Sequence, residues 1–256
     1  MQMHSNTVFI TGGTSGIGRG LAEALHRLGN RVVISGRRAE ALKAICEANP
    51  GMRSFVLDVT DPDSIRDVAG RVAEEFPDLN CVFNNAGVQR GHDFASGEPL
   101  DEQALLEEVN TNLLGVIRCC AAFTPHLKAR ARSGAAATLV NVSSGLAFVP
   151  LARFPVYCAT KAAVHSFTLS LRRQLRYTGV RVIELIPPYV ATALDRTTRT
   201  GRPGAGPQPM PLDAFIAEAM KELGSGADEL AVADAKYLRA AGATDALATV
   251  FSRMNE

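Results

Sequence analysis

Val8-Phe9-Ile10-Thr11-Gly12-Gly13-Thr14-Ser15-Gly16-Ile17-Gly18 is an apolar run, a glycine-rich turn and the first turn of a helix, in that order. Ile17, Leu21, Leu25 and Leu28 recur at helical spacing, Gly29 closes the helix, and Arg31–Ser35 begins a second apolar run. Strand, tight turn, helix and strand within about 30 residues make a β-α-β unit. Glycines let the backbone turn sharply and approach a pyrophosphate, and the N-terminus of the helix favours its negative charge. The spacing Gly12-x-x-x-Gly16-x-Gly18 departs from G-x-G-x-x-G. A glycine-rich turn is also a common plain connection, so the strand-turn-helix setting carries the nucleotide reading.

Outward from this unit, the alternation repeats. Further strands are expected at Ser54–Leu57, Cys81–Asn84, Thr138–Val142 and Val180–Ile186. Near-continuously apolar strands separated by helices imply a parallel sheet covered on both faces. The expectation is one α/β domain over residues 1–256, a Rossmann-like doubly wound sheet of about six strands in the order 3-2-1-4-5-6. Pro187–Pro211 is rich in Pro, Gly, Thr and Arg and reads as a mobile loop, part of a substrate-lid region over about 187–225. Leu212–Leu223, Asp228–Ala240 and Thr244–Met254 read as helices, with no further strand among them.

With 27 basic and 26 acidic residues, the chain has no global field for nucleic acid or an anionic membrane. Met1–Thr7 lacks the pattern of an export signal, and no apolar run approaches a membrane span, so a cytoplasmic protein is expected. The five cysteines, Cys46, Cys81, Cys119, Cys120 and Cys158, form no C-x-x-C, and the five histidines have no ligand spacing. Reduced thiols and no metal are therefore expected.

The second strand ends in Ile34-Ser35-Gly36-Arg37-Arg38, where an NAD site usually carries an acidic residue. Guanidinium groups suit a 2′-phosphate, so NADP is favoured over NAD, with Arg37 ahead of Arg38. The alternative, less favoured, is that one or both arginines simply face solvent at a helix entrance.

Tyr157-Cys158-Ala159-Thr160-Lys161 opens a helical pattern that continues through Phe167, Leu171 and Leu175. Residues i and i+4 share a helix face, so phenol and ammonium can address one site. An ammonium, with a cationic nicotinamide, would bring the phenol towards use at neutral pH. The bare pattern is weak, since most such pairs are an amphipathic tyrosine beside a solvated lysine. Ser143-Ser144 past the fifth strand and Asn84-Asn85-Ala86-Gly87 past the fourth lie where open α/β sheets present ligands.

Together these residues resemble the short-chain dehydrogenase/reductase family over roughly residues 7–192. The resemblance implies cofactor contacts from Gly12, Thr14, Ser15, Gly16, Ile17 and Gly18, and an adenine contact from Asp58-Val59. It adds Asn85, Ala86 and Gly87 beside the cofactor, and Pro187, Val190 and Thr192 near the nicotinamide. It implies an acid/base role for Tyr157 and a supporting, ribose-binding role for Lys161. Ser144, ahead of Ser143, would orient the substrate. Asn112, in Asn110-Thr111-Asn112-Leu113-Leu114-Gly115, would hold a relay water or mark a helix defect. Pro187-Pro188 departs from the family's Pro-Gly, and its terminal strand with a Val-Asp-Gly-Gly-like segment is not found. These departures resemble the DltE-like subgroup, a label that carries no substrate.

The implied activity is NADP(H)-dependent hydride transfer between nicotinamide and a carbonyl or secondary alcohol, acting as a ketone or aldehyde reductase. The alternative is a catalytically silent NADP(H)-binding redox sensor. Leu146, Phe148, Val149, Leu151 and Phe154 could wall the substrate or simply pack. Arg196, Arg199 and Arg202 could draw an anionic substrate or remain solvated. The resemblance implies a homo-oligomer assembled through paired long helices, here about 102–131 and 156–177, with a dimer favoured over a tetramer because the terminal strand is missing.

Overall fold

The computed structural model describes residues 1–196 and 208–255, with only the backbone of Asp195, Arg196 and Ala248. Loop residues 197–207, including Arg199 and Arg202, and the side chain of Arg196 lie outside the described residues. The elements follow in chain order as β1 (Thr7–Thr11), α1 (Gly16–Arg27), β2 (Arg31–Gly36), α2 (Ala39–Ala48), β3 (Arg53–Val56) and α3 (Pro62–Glu75). Next come β4 (Leu79–Asn84), α4 (Glu102–Val109), α5 (Gly115–Arg132), β5 (Ala137–Val142), α6 (Pro155–Leu175) and β6 (Val180–Ile186). The described residues end with α7 (Ala193–Arg196), α8 (Leu212–Gly224), β7 (Glu229–Ala231), α9 (Ala235–Ala241) and α10 (Leu247–Met254).

All strand pairs are parallel, in the order β3-β2-β1-β4-β5-β6-β7. Alternation along each strand sorts side chains to two faces. Val8, Ile10, Val32, Ile34, Val140 and Ile183 pack under α1, α2 and α8, whereas Phe9, Val33, Val82, Leu139 and Val182 pack under α3, α5 and α6. Strands buried on both sides carry apolar residues at most positions, which explains their near-continuous runs.

The seventh strand corrects the expected helix over Asp228–Ala240. Glu229–Ala231 pairs with Glu184–Ile186, and the helix begins only at Ala235. Leu230, buried at this sheet edge, is worth more beside Leu185 than in an isolated helical turn. A short terminal strand is thus present, and the preference for a dimer over a tetramer loses its basis. Glu102–Arg132 forms two helices joined by a π-helical turn, Asn110–Leu114. After β6, the chain is pinned where Val190 pairs with Met210, through bonds from Ala191 N–H to Met210 and from Met210 N–H to Tyr189.

Phe215 on α8 is fully buried against the β1 face. Phe215→Ala is expected to cost about 3–5 kcal/mol of unfolding free energy. Chemical denaturation checks this, with an unchanged denaturant slope.

Candidate active site

Thr11 ends β1, and its hydroxyl accepts from the N–H groups of Asn85 (3.0 Å) and Ala86 (3.1 Å). The Asn85 amide donates back to the carbonyls of Thr11 (3.0 Å) and Gly12 (3.3 Å). This lacing holds the glycine turn so close that side chains do not fit. A Cβ on Gly12 would lie 2.8 Å from the Ala86 Cα, and one on Gly18 would lie 2.3 Å from the Asn85 Nδ2. Gly12 and Gly16 also have positive φ, 69° and 53°. At Ser15 no side chain caps α1, and its first turn has no acidic residue, so its N–H groups face the cleft uncompensated.

The cleft encloses about 1190 Å³ along the carboxyl ends of the strands. Every position expected to touch the cofactor lines it, from Gly12, Thr14, Ser15, Gly16, Ile17 and Gly18 to Pro187, Val190 and Thr192. Thr192 folds back over the turn, 3.3 Å from where a Gly16 Cβ would sit. At the far end, Asp58 binds Thr60 through its N–H and hydroxyl, beside Val59. The two arginines diverge from the end of β2. Arg38 lies on the Thr14 hydroxyl at 3.1 Å, whereas Arg37 pairs with Glu107 of α4 at 3.0 Å. Glu107 also binds Arg90 at 2.8 Å, and the Arg90 bond, followed by that of Arg37, holds its carboxyl below the usual range.

Beside the glycine turn, Ser144, Tyr157 and Lys161 share one wall. Ser144 ends the approach to a 3-10 turn, Gly145–Ala147, accepting from Leu146 N–H at 3.1 Å and hydrogen-bonding the Tyr157 phenol. Ser143 turns away, donating to Glu184 at 2.5 Å. Burial pushes the phenol well above its ordinary value, and the Ser144 bond only partly opposes this. Lys161 is 3% exposed, donates to the Val142 carbonyl at 2.9 Å, and lies 5.7 Å from the Tyr157 ring centre. Burial draws its ammonium down to about 8 against the opposing pull of Glu184. Desolvation sets the direction of both shifts, the phenol up and the ammonium down.

Asn112 stands behind this wall, fully buried in the π-helical turn. Its Oδ1 accepts from Val88 N–H, its Nδ2 donates to the Val88 carbonyl, both at 2.8 Å, and Nδ2 also reaches Thr160 at 3.3 Å. A Cβ on Gly87 would lie 3.3 Å from Asn112 Oδ1 and 3.7 Å from Lys161 Nζ, so a side chain there would press on the Asn112 carboxamide.

Leu146, Leu151 and Phe154 line the cleft, but Val149 is buried away from it and Phe148 packs edge-on against His165. Tyr237, Leu238, Val250, Arg253 and Met254 of α9 and α10 complete this side. Nothing in their sequence marks them, because they contribute ordinary side chains at helical spacing. His92 is bound to buried Glu108 at 3.0 Å, and Cys158 accepts from Leu151 N–H at 3.3 Å. Burial raises both the Glu108 carboxyl and the Cys158 thiol.

The short chain dehydrogenase family model matches residues 6–203. This chain belongs to the short-chain dehydrogenase family. It is 44% identical to the Bacillus subtilis (strain 168) uncharacterized oxidoreductase DltE over 201 residues, 78% of this chain and 77% of that one. It is 34% identical to a sulfoacetaldehyde reductase of Chromohalobacter salexigens, over 77% of each chain. A short chain dehydrogenase of Burkholderia cenocepacia J2315, solved in complex with NADP, superposes with a TM-score of 0.83 at 28% identity, covering 99% of both chains. The superposed chain shares the overall fold described above.

The buried ammonium makes a prediction about stability. Its descent from 10.5 to about 8 corresponds to a folding penalty of about 3 kcal/mol, fully present below pH 8. Because the folded state loses this proton first, the penalty fades as pH rises from about 8 to 10.5. Lys161→Met removes the penalty but leaves the Val142 carbonyl unpaired, at a cost of roughly 1 kcal/mol. The variant is expected to be about 1–2 kcal/mol more stable than the parent at pH 7, with the gap closing towards pH 10, as denaturation at several pH values will test.

Proposed function

We propose that the chain is a single-domain NADP(H)-dependent reductase of ketones or aldehydes, with Tyr157 as general acid. The observation that carries this reading is the meeting of Tyr157, Ser144 and Lys161 on the wall of the same cleft that the glycine turn opens. The fit for a dinucleotide rests on a cradle that a single Cβ at Gly12 or Gly18 would fill, beside an uncapped helix N-terminus. Gly12 to Gly18 would hold the pyrophosphate, Arg37 and Arg38 the 2′-phosphate, Asp58 and Val59 the adenine, and Lys161 and Thr192 the nicotinamide half. When bound, the reduced cofactor supplies a hydride.

The chain's own residues do the remaining chemistry. Ser144 and Tyr157 donate hydrogen bonds to the carbonyl oxygen, where negative charge grows during reduction. Tyr157 then gives up its proton. A buried phenol held neutral has its proton in place when the carbonyl oxygen begins to gain charge. Lys161, fixed by the Val142 carbonyl, stabilises the phenolate that remains. Asn112 keeps the Gly87–Val88 backbone in place beside Lys161. The sulfoacetaldehyde reductase among the relatives supports the reductive direction. Leu146, Leu151 and Phe154 with Leu238, Val250 and Met254 offer the substrate an apolar body site.

NADPH oxidation is measured with a panel of ketones and aldehydes. Tyr157→Phe is expected to lower kcat by at least about a thousandfold while NADPH binding, followed by fluorescence, stays within about twofold. Retained turnover would remove Tyr157 from the mechanism. In a second measurement, replacing Arg37 and Arg38 together with alanine is expected to raise the KM for NADPH about tenfold and leave that for NADH nearly unchanged. An equal loss for both cofactors would place the 2′-phosphate contact elsewhere.

A further inference from the structure

Glu184 lies in the middle of β6, fully buried, where a parallel sheet normally carries an apolar side chain. Its neighbours in the strand, Ile183 and Leu185, are ordinary core residues. Its carboxylate is organised by two donors: the Ser143 hydroxyl on Oε1 at 2.5 Å and His165 Nδ1 on Oε2 at 2.8 Å. A buried acid in a sheet costs several kcal/mol unless its environment compensates, so its presence calls for a reason.

Both contacts lead to the catalytic wall. Ser143 sits between Val142, whose carbonyl holds Lys161, and Ser144, which hydrogen-bonds Tyr157. Ser143 N–H is itself bound to the Leu185 carbonyl of β6, so backbone and hydroxyl pin this residue to one strand. His165 stands one helical turn beyond Lys161 on α6. Glu184 therefore clamps the end of β5 to α6 at the level of the Tyr157–Lys161 pair.

Other charged groups lie near this pair. Glu229 of β7 comes within 4.8 Å of the Glu184–His165 pair, but Arg239 of α9 binds it at 2.7 Å. On α6, Arg172 binds the Val182 carbonyl of β6, and Lys161 is the group on which the Glu184 charge acts. No ion pair within 4 Å joins Glu184 to a lysine or arginine among the described residues. Its charge acts on Lys161 through a low-dielectric interior, where such action is screened little.

We propose that Glu184 is the positioning residue of the Tyr157–Lys161 pair, holding Ser143 and His165 in place and serving as the pair's buried counter-charge. The proposal rests on the reductase reading only for its kinetic consequence. Without Glu184, burial acts on Lys161 unopposed, and the lysine loses its proton at a lower pH.

The test uses the full chain with its lysines isotope-labelled in carbon and nitrogen, so that NMR reads the Lys161 titration directly, assigned by the signal missing in Lys161→Met. Glu184→Gln preserves an acceptor for Ser143 and removes the charge. Its Lys161 midpoint is expected to fall by about one pH unit, and the high-pH limb of kcat to fall by the same interval. Glu184→Asp, which keeps the charge at a shorter reach, is expected to restore the midpoint while kcat stays about tenfold low. Ser143→Ala is expected to lower kcat about tenfold with the midpoint unmoved.

An unmoved midpoint in Glu184→Gln, or an equal fall in Ser143→Ala, would overturn the counter-charge role. If Glu184→Gln does not fold, a Glu184→Asp midpoint that drops as burial alone would dictate overturns it instead. Full kcat in Ser143→Ala would overturn the clamp. Failure of the reductase reading has a different signature, since turnover is then absent from the parent protein while the NMR midpoint still reports on Glu184.

Discussion

The hydroxyl of Thr11 and the amide of Asn85 join two strands that are neighbours in the sheet but far apart in the chain. After β1 the chain leaves to build β2 and β3, and returns to the other side of β1 as β4. At that reversal the following loops diverge and leave a crevice at the carboxyl ends. Thr11 accepts two backbone N–H groups of the β4 exit and donates to Phe83 at 3.3 Å, so one side chain registers both strand ends. The position of the glycine turn, and of everything facing it, follows from that contact. A turn pressed to within 2.3 Å of the Asn85 amide, measured from an added Gly18 Cβ, has no slack for another side chain.

Across the cleft, irregular backbone does the corresponding work. The π-helical turn at Asn110–Leu114 brings Asn112 to bear on both polar groups of Val88, an outcome that regular helix spacing does not produce. The 3-10 turn after Ser144 keeps the serine extended, at φ −167°, facing the phenol. Buried polar groups are tolerable only when paired, and Asn112, Ser143, Thr160 and Glu184 all are. The site is thus a chain of satisfied polar contacts inserted between two apolar layers. Its rigidity comes from that satisfaction.

What was legible in the sequence depended on whether a residue announces itself locally. Strands buried on both faces read as apolar runs, and six of them were visible for that reason. β7 was not, because Glu229-Leu230-Ala231 is short and made of good helix formers, and only pairing with β6 decides its state. The glycine turn, Tyr157, Lys161 and Asn112 carry distinctive spacing, so their convergence could be expected from resemblance. Glu184 could not be found this way, since a lone acid in a strand has no motif and its meaning lies in Ser143 and His165, 41 and 19 positions away. The cleft wall from α9 and α10 was hidden for a related reason. Leu238, Val250 and Met254 repeat at the same helical intervals whether they face a core or a ligand.

The Tyr157–Lys161 pair is more constrained than the spacing alone suggests. A phenol and an ammonium on one helix face invite the idea of a preformed phenolate beside a cation. Burial moves the two groups in opposite directions, the phenol up and the ammonium down, and so disfavours both charged forms. The resting wall holds a neutral phenol and a lysine whose charge is marginal near pH 8. Such a pair is poorly suited to abstracting a proton unaided; it holds a proton in place for an oxygen that gains negative charge, provided the ammonium survives to meet the phenolate that results. Its survival in a dry interior needs a nearby negative charge that does not itself consume the lysine's hydrogen bonds. A carboxylate in the next strand, turned towards Ser143 and His165 and away from direct contact, meets both conditions.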